Sequence, residues 1–300
     1  MINRNDSYLS FKSIRSFSSR TWSFLHFSFY LMKRNRLSLF GAVFIGLFVM
    51  LGILGPMITV YDPVKPDIRS ISLPPSTKHW MGTNALGMDV FTRIVHAARI
   101  DLSIAVFAVL GATITGTIYG MFSAYYGRWL DEVMMRVLDS IQAFPTIILA
   151  IAIAAVLGPS TRNVIIVLVI VNSPIYARLV RSLALSVKKA QYVDAARAVG
   201  NGNLTIIFKH ILPNCMGPVY VTGSINIGWS VLMAASLSFI GLGVQSPTPE
   251  WGLMINEGAR YMVLGEWWMA LFPGLFIFLF VLSASLLGDG LQDVFDPKRR

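Results

Sequence analysis

The chain has 300 residues, of which 55% are hydrophobic and only 13% charged, and its mean hydropathy is +0.63. That balance excludes an ordinary soluble domain and indicates an integral membrane protein. The formal net charge of +10 is assigned to membrane topology rather than to nucleic-acid binding, and the one cysteine, Cys215, rules out an internal disulfide.

A membrane-crossing helix needs about 20 apolar residues. Six segments qualify, at 39–60, 102–126, 137–157, 164–185, 216–243 and 269–291, so the expected fold class is an all-α membrane protein with six transmembrane helices. The first run is long and follows "MKRNR", which reads as a span and not a cleaved leader. With the N terminus inside, the cytoplasmic side holds 18 of the 25 Lys and Arg, and the outer loop after the fifth span carries Glu250, Glu257 and Glu266 against Arg260. This asymmetry places both termini in the cytoplasm.

The expected organisation follows the chain. A cytoplasmic tail (1–38) precedes the first span (39–60). An extracytoplasmic segment (61–100) follows, in which Val90, Phe91, Ile94, Val95 and Ala98 fall at helical spacing and predict an interfacial helix. A five-helix core (101–291) contains a polar cytoplasmic loop (188–214), and a short cytoplasmic tail (292–300) ends the chain.

Several chemistries are absent from the pattern. His26, His79, His96 and His210 are scattered without metal-ligand spacing, and no catalytic Ser/His/Asp or Cys/His grouping is evident. No phosphate-binding G-x-x-x-x-G-K-[ST] loop occurs; the glycines of "GATITGTIYG" are read as helix-packing positions. The span interiors as drawn contain almost no ionisable residue, Asp139 and Asp289 lying near inner ends, whereas an ion-driven carrier usually needs buried ones. The chain reads as a conduit without its own energy source. Pro145, Pro174 and Pro218 are potential kinks. Gln142, Asn172, Ser173, Asn226 and Ser230 are uncharged polar groups within spans, suited to interhelical hydrogen bonds; Gln142, Asn172 and Asn226 are also candidates to line a polar pathway.

The loop between the fourth and fifth spans has more structure than a connection requires. "KKAQYVDAARAV" suits a helix with a thin, Ala-rich side-chain layer, Gly200 suits a left-handed terminator, and "NGN" a turn. Leu204, Ile207, Phe208 and Ile211 then space a second short helix that Pro213 is expected to end. Docking on a partner and packing on the chain's own cytoplasmic face both satisfy this pattern.

"DAARAVGNGNLTIIFKHILP" resembles the EAA loop of bacterial ABC-transporter permease subunits, through Asp194 (where Glu is usual), Ala195, Ala196, Gly200, Leu212 and Pro213; His210 stands where the pattern favours Ile. "HWMGTNALGMDVFTRI", "SFIGLGVQSPTPEWGLMI" and "FPGLFIFLFVLSASLLGDGLQDVFDPK" extend the resemblance to the C-type permeases of the dipeptide/oligopeptide/nickel group, covering most of 31–298. The outer segment departs from that group's pattern at Asn84 and Met88, which replace an Asp and an Arg.

The resemblance implies a type I ABC importer permease core, MetI-like, in a bacterial inner membrane. It implies a non-catalytic, metal-free subunit that binds no cofactor itself, paired with a second homologous permease. Two cytoplasmic subunits would hydrolyse ATP with Mg2+ and receive the EAA loop, and an extracytoplasmic binding protein would deliver cargo. Di- or oligopeptides are the expected substrate, with nickel or a metal chelate and glutathione as alternatives. The competing classes are a secondary transporter, a membrane scaffold and a channel.

Overall fold

The computed structural model describes residues 36–295, which are helical apart from connecting segments and one isolated β-bridge, Thr83 to Asp89. Of the expected tails, 1–38 and 292–300, residues 1–35 and 296–300 lie outside the described residues. The long helices are α1 (Arg36–Ile58), α2 (Val90–Tyr126), α3 (Arg128–Gln142), α4 (Thr146–Leu157) and α5 (Thr161–Val187). A short α6 (Gln191–Ala198) and one turn, α7 (Asn203–Thr205), lead through a π-helical stretch, Ile206–Ile211, into α8 (Leu212–Phe239). Helices α9 (Trp251–Ala259) and α10 (Trp268–Phe295) complete the order.

By length and composition α1, α2, α5 and α10 can cross a membrane, and α3 with α4 adds a fifth crossing if that bent pair is one span. The fifth expected span coincides with most of α8, which is 28 residues long. Asn214, Asn226 and a series of Ser, Thr and Gly residues dilute its apolar content. It packs on α2, α5 and α10, so part of its surface is solvated by protein.

Two expected elements differ in form. The third span, expected as one helix over 137–157, is broken: α3 stops at Gln142 and α4 starts after Pro145, with 89° between their axes. Proline lacks an N–H and disfavours helical geometry in the residue before it, so the break falls where the sequence carries Pro145. The interfacial helix expected near Val90 is not separate. Helix α2 runs unbroken for 37 residues, roughly 55 Å at 1.5 Å per residue, well beyond a hydrocarbon core of about 30 Å. Its first turns are buried by the outer segment and α9; even Arg93 is fully enclosed, its guanidinium donating to the carbonyls of Pro63 and Pro247 and pairing with Glu257 at 3.4 Å.

The outer segment holds its shape without the Asp and Arg of the related pattern. Asn84 Oδ1 accepts the Leu86 and Met88 N–H groups at 3.0 and 2.9 Å, the work a carboxylate oxygen would do there, and Met88 Sδ lies 3.3 Å from the Arg93 guanidinium. Asp89 caps α2 through the Thr92 N–H and also bonds His79 at 2.9 Å.

Helix α2 is the axis of the fold, and its most extensive contact is with α5. Gly111, Gly116 and Gly120 make that contact close. A Cβ on Gly111 would meet the Val169 side chain at 2.5 Å, one on Gly116 would lie 2.5 Å from the Ser173 carbonyl oxygen, and one on Gly120 would be closer still to that of Ala177. The glycines of "GATITGTIYG" are therefore packing positions, as small residues are in membrane helices generally. Polar bonds reinforce the bundle: Thr115 to Ser173 at 2.7 Å between α2 and α5, and Asn226 to the Tyr176 hydroxyl at 3.0 Å between α8 and α5.

At the far end of α2, Arg181 of α5 grips Asp131 of α3 with two bonds of 2.6 Å, and Ser123 of α2 donates to the same carboxylate. One acidic side chain thus ties three helices.

Gly120→Leu should drive α2 and α5 apart at a cost of about 1–3 kcal/mol, read as a lower Tm of the purified protein in detergent; an unchanged Tm would contradict the seam. Arg181→Ala should cost about 1.5–3 kcal/mol, the worth of hydrogen bonds to a charged group. Arg181→Lys should recover little in the same melting assay, because an ammonium cannot make the two-pronged contact.

Candidate functional site

The site is the polar hairpin between α5 and α8, and its placement starts at Lys188. This residue ends α5, donates to the Tyr125 carbonyl at 2.5 Å and lies 5.4 Å from the centre of the Tyr125 ring. A cation there satisfies carbonyls at the end of α2, where the helix dipole is negative. Burial pushes the Lys188 ammonium below its ordinary range, and Arg197 adds to the effect. A second tie runs from the Tyr125 hydroxyl to Asn203 Oδ1 at 2.7 Å. The hairpin is thus fixed to the ends of both helices of the glycine seam.

Within it, α6 ends as the sequence predicts. Gly200 has φ of +88°, the Asn201 N–H reaches back to the Ala196 carbonyl and the Gly200 N–H to that of Arg197. These two bonds are the paired closure of a Schellman turn, which needs a residue with positive φ. A Cβ on Gly200 would meet nothing within 4 Å, so the constraint there is backbone conformation alone.

Pro213 does not end a helix. The π-helical stretch Ile206–Ile211 runs straight into α8, with the Leu212 N–H bonded to the Ile207 carbonyl five residues back. Proline cannot donate to the carbonyl four residues before it and its ring crowds that position, so the backbone widens one turn earlier. Leu212 and Pro213 form a continuous helical junction between the hairpin and α8. His210 contributes its carbonyl, which accepts from Asn214 Nδ2 at 2.8 Å.

Packing on the chain itself accounts for one face of the hairpin and leaves the other exposed. Val193, Ala196, Ile206, Ile207 and Ile211 are buried against the chain's own Met121, Tyr125, Val180 and Ala184. Asp194, Ala195, Arg197, Val199, Leu204 and Phe208 face away, Val199 being 85% and Leu204 57% exposed. Asp194 and Arg197 pair on this surface at 3.0 Å. Of the Ala pair, Ala196 packs inward and Ala195 is presented outward, a distinction that needs the helix's rotation and not only its spacing.

The candidate pathway residues are not brought together. Gln142 is exposed at the α3–α4 break, on a cavity of about 330 Å³ shared with Phe144, Val171 and Arg178, beside the Arg178–Asp139 pair at 2.5 Å. Asn226 is buried on Tyr176, and Asn172 is buried with neither side-chain polar atom bonded.

The sequence reading also passed over a buried acid. Asp101 precedes the second span as drawn by one residue, yet α2 carries it into the interior, fully buried beside Glu250. Glu250 caps α9 through the Gly252 and Leu253 N–H groups at 3.0 and 2.7 Å. Burial pushes its carboxyl above the ordinary range, and those N–H groups oppose the shift. Glu is not among the usual helix-capping residues, and nothing in sequence pairs Glu250 with Asp101.

Comparison with known proteins agrees with this geometry. A family described as "Binding-protein-dependent transport system inner membrane component" matches residues 116–300, and the "N-terminal TM domain of oligopeptide transport permease C" matches 23–75. The chain is 44% identical to the dipeptide transport system permease protein DppC of Alkalihalophilus pseudofirmus, over 90% of this chain and 88% of that one. It is 43% identical to the glutathione transport system permease protein GsiD of Escherichia coli, over 89% and 88%. An inward-facing crystal form of the MetNI methionine ABC transporter shares the fold at a TM-score of 0.51 and 16% identity, over 66% of this chain and 96% of that one. The chain belongs to the inner-membrane permease family of binding-protein-dependent transport systems, with a MetI-like type I importer fold.

Proposed function

We propose that this permease moves short peptides across a bacterial inner membrane, and that its 188–214 hairpin is the joint through which partner ATPases drive it. The observation that carries the joint is the hairpin's division into two faces. One is locked to the ends of α2 and α5, and the other presents Ala195, Val199, Leu204 and Phe208, which no other described residue covers. A surface of small and apolar side chains ringed by Asp194 and Arg197 suits a cleft on another subunit.

In this reading six segments cross the membrane, α3–α4 as a broken one, and both termini are cytoplasmic. A second, homologous permease completes the pathway, two ATP-binding subunits use ATP and Mg2+, and an extracytoplasmic binding protein docks on the outer segment. Closure of the ATPases moves the hairpin; the Lys188 and Asn203 ties carry that motion to α2 and α5, and the Leu212–Pro213 junction carries it to α8. Gln142, at the α3–α4 break, is the residue best placed to meet cargo; Asn172 and Asn226 act from within the bundle. Dipeptides are the favoured cargo. Glutathione, a tripeptide carried by the relatives named for it, is the second reading and differs chiefly in size.

Gly200→Val in the assembled transporter tests the joint. A β-branched residue held at positive φ costs about 1–2 kcal/mol, and at about 1.4 kcal/mol per decade the equilibrium constant for the closed turn should fall roughly tenfold. Peptide uptake into vesicles should drop by about that factor while ATP hydrolysis persists. Uptake at the wild-type rate would refute the assignment.

A further inference from the structure

The buried Asp101–Glu250 pair has no part in the mechanism just described. Both side chains are fully enclosed, one on α2 and the other at the start of α9, and their carboxyl groups lie against each other. Glu250 uses both oxygens to accept backbone N–H groups and also meets the Ser238 hydroxyl. Asp101 Oδ2 accepts the Trp251 N–H at 3.2 Å, while Oδ1 is buried without any donor.

Among the described residues no cation accompanies them. The groups acting on the two carboxyls are each other, these backbone N–H groups and Ser238. On α2, Arg93 is turned to Glu257, His96 bonds Thr59, and Arg99 is exposed. On α9 the one charged side chain is Glu257; α8 offers Ser238 and keeps Cys215 and Tyr220 near its opposite end. Among the described residues Arg36 of α1 and Asp289 and Asp293 of α10 also lie at far ends, and the charges of α5 are Arg162, Arg178 and Arg181. Two bare carboxylates in contact and away from water repel and forfeit their hydration, so such pairs keep a proton between them.

We propose that Asp101 keeps a proton on Oδ1 and donates it to Glu250, and that this single proton latches α9 onto α2. The donor-free oxygen places the proton on Asp101, since Glu250 is already an acceptor on both oxygens. The latch holds a substantial structure. Trp251, adjacent to Glu250, is fully buried, donates through Nε1 to the Ile94 carbonyl at 3.1 Å, and packs among Phe48, Phe276 and Phe280. Loss of the proton leaves two buried anions at the base of α9 and favours its release. The folded chain then holds, at neutral pH, a proton that an unfolded chain has already given up, so stability falls as pH rises.

The proton itself does not depend on the transport reading, and the test uses the full-length chain in lipid vesicles with no uptake measurement. Infrared spectra at about pH 7 should show a carboxylic-acid C=O band that is lost in Asp101→Asn. The amide of that variant can still donate to Glu250 but has no proton to lose. Between about pH 7 and about pH 10 the wild type should lose Tm by at least about 2–4 °C relative to Asp101→Asn. If Asp101→Asn does not fold, Glu250→Gln provides the same comparison, shifting the wild-type band by changing its acceptor. Absence of a protonated-carboxyl band in the wild type, a band unchanged in the variant that folds, or matching pH dependence of Tm would overturn the proposal.

Discussion

The close approach of α2 and α5 is the constraint on which the remaining structure depends. Where Gly111, Gly116 and Gly120 face Val169, Ser173 and Ala177, there is no room for a side chain between the two backbones. Membrane helices gain little from mutual burial of apolar side chains, because lipid is equally apolar, so close backbone packing and interhelical hydrogen bonds must supply their association. The Thr115–Ser173 bond lies within this seam, and the Arg181–Asp131 clamp closes its end. The 188–214 hairpin begins where the seam ends, and both of its polar ties, Lys188 to Tyr125 and Asn203 to Tyr125, converge on the last turn of α2.

That arrangement gives a physical sense to coupling. A loop tethered by its two chain connections alone would absorb an imposed displacement. This hairpin has a buried face of Val193, Ala196, Ile206, Ile207 and Ile211 and two polar anchors, so it moves with the helices beneath it. The π-helical turn before Pro213 is the one irregular element between hairpin and α8, and π-bulges are a recurrent feature of functional sites. At the opposite end, α9 rests on α2 through Trp251 and the Asp101–Glu250 contact. Helix α2 therefore joins the hairpin to α9 in one continuous element.

Much of this was legible in the amino-acid sequence. Apolar runs located the long helices because membrane spans require uninterrupted apolar length, and Gly200 announced its turn because few residues other than glycine tolerate that backbone. The failures have equally local causes. Hydropathy cannot show where a span stops being lipid-facing, so α2 was cut at Leu102 and Asp101 fell outside the interior. It cannot distinguish a kinked helix from a broken one, so Pro145 reads as a potential kink where the structure has an 89° break. Helical spacing grouped Val90, Phe91, Ile94, Val95 and Ala98 as a surface stripe, whereas the folded outer segment buries the opposite side too, Arg93 included. Proline at 213 signalled an ending because sequence rules count missing α-helical bonds and have no term for a π turn. The partition of Ala195 from Ala196 depended on tertiary contacts that no local pattern encodes.

The central claim is that the exposed face of the hairpin, and not its buried face, meets the ATPase. It is tested most directly by cysteine cross-linking in membranes containing the assembled transporter. The chain's one cysteine, Cys215, is fully buried and leaves the background low. Val199→Cys should cross-link efficiently to an ATP-binding subunit, and the cross-link should stop uptake; Val193→Cys, on the buried face, should not react. Cross-linking from Val193 as readily as from Val199, or from neither, would contradict the account.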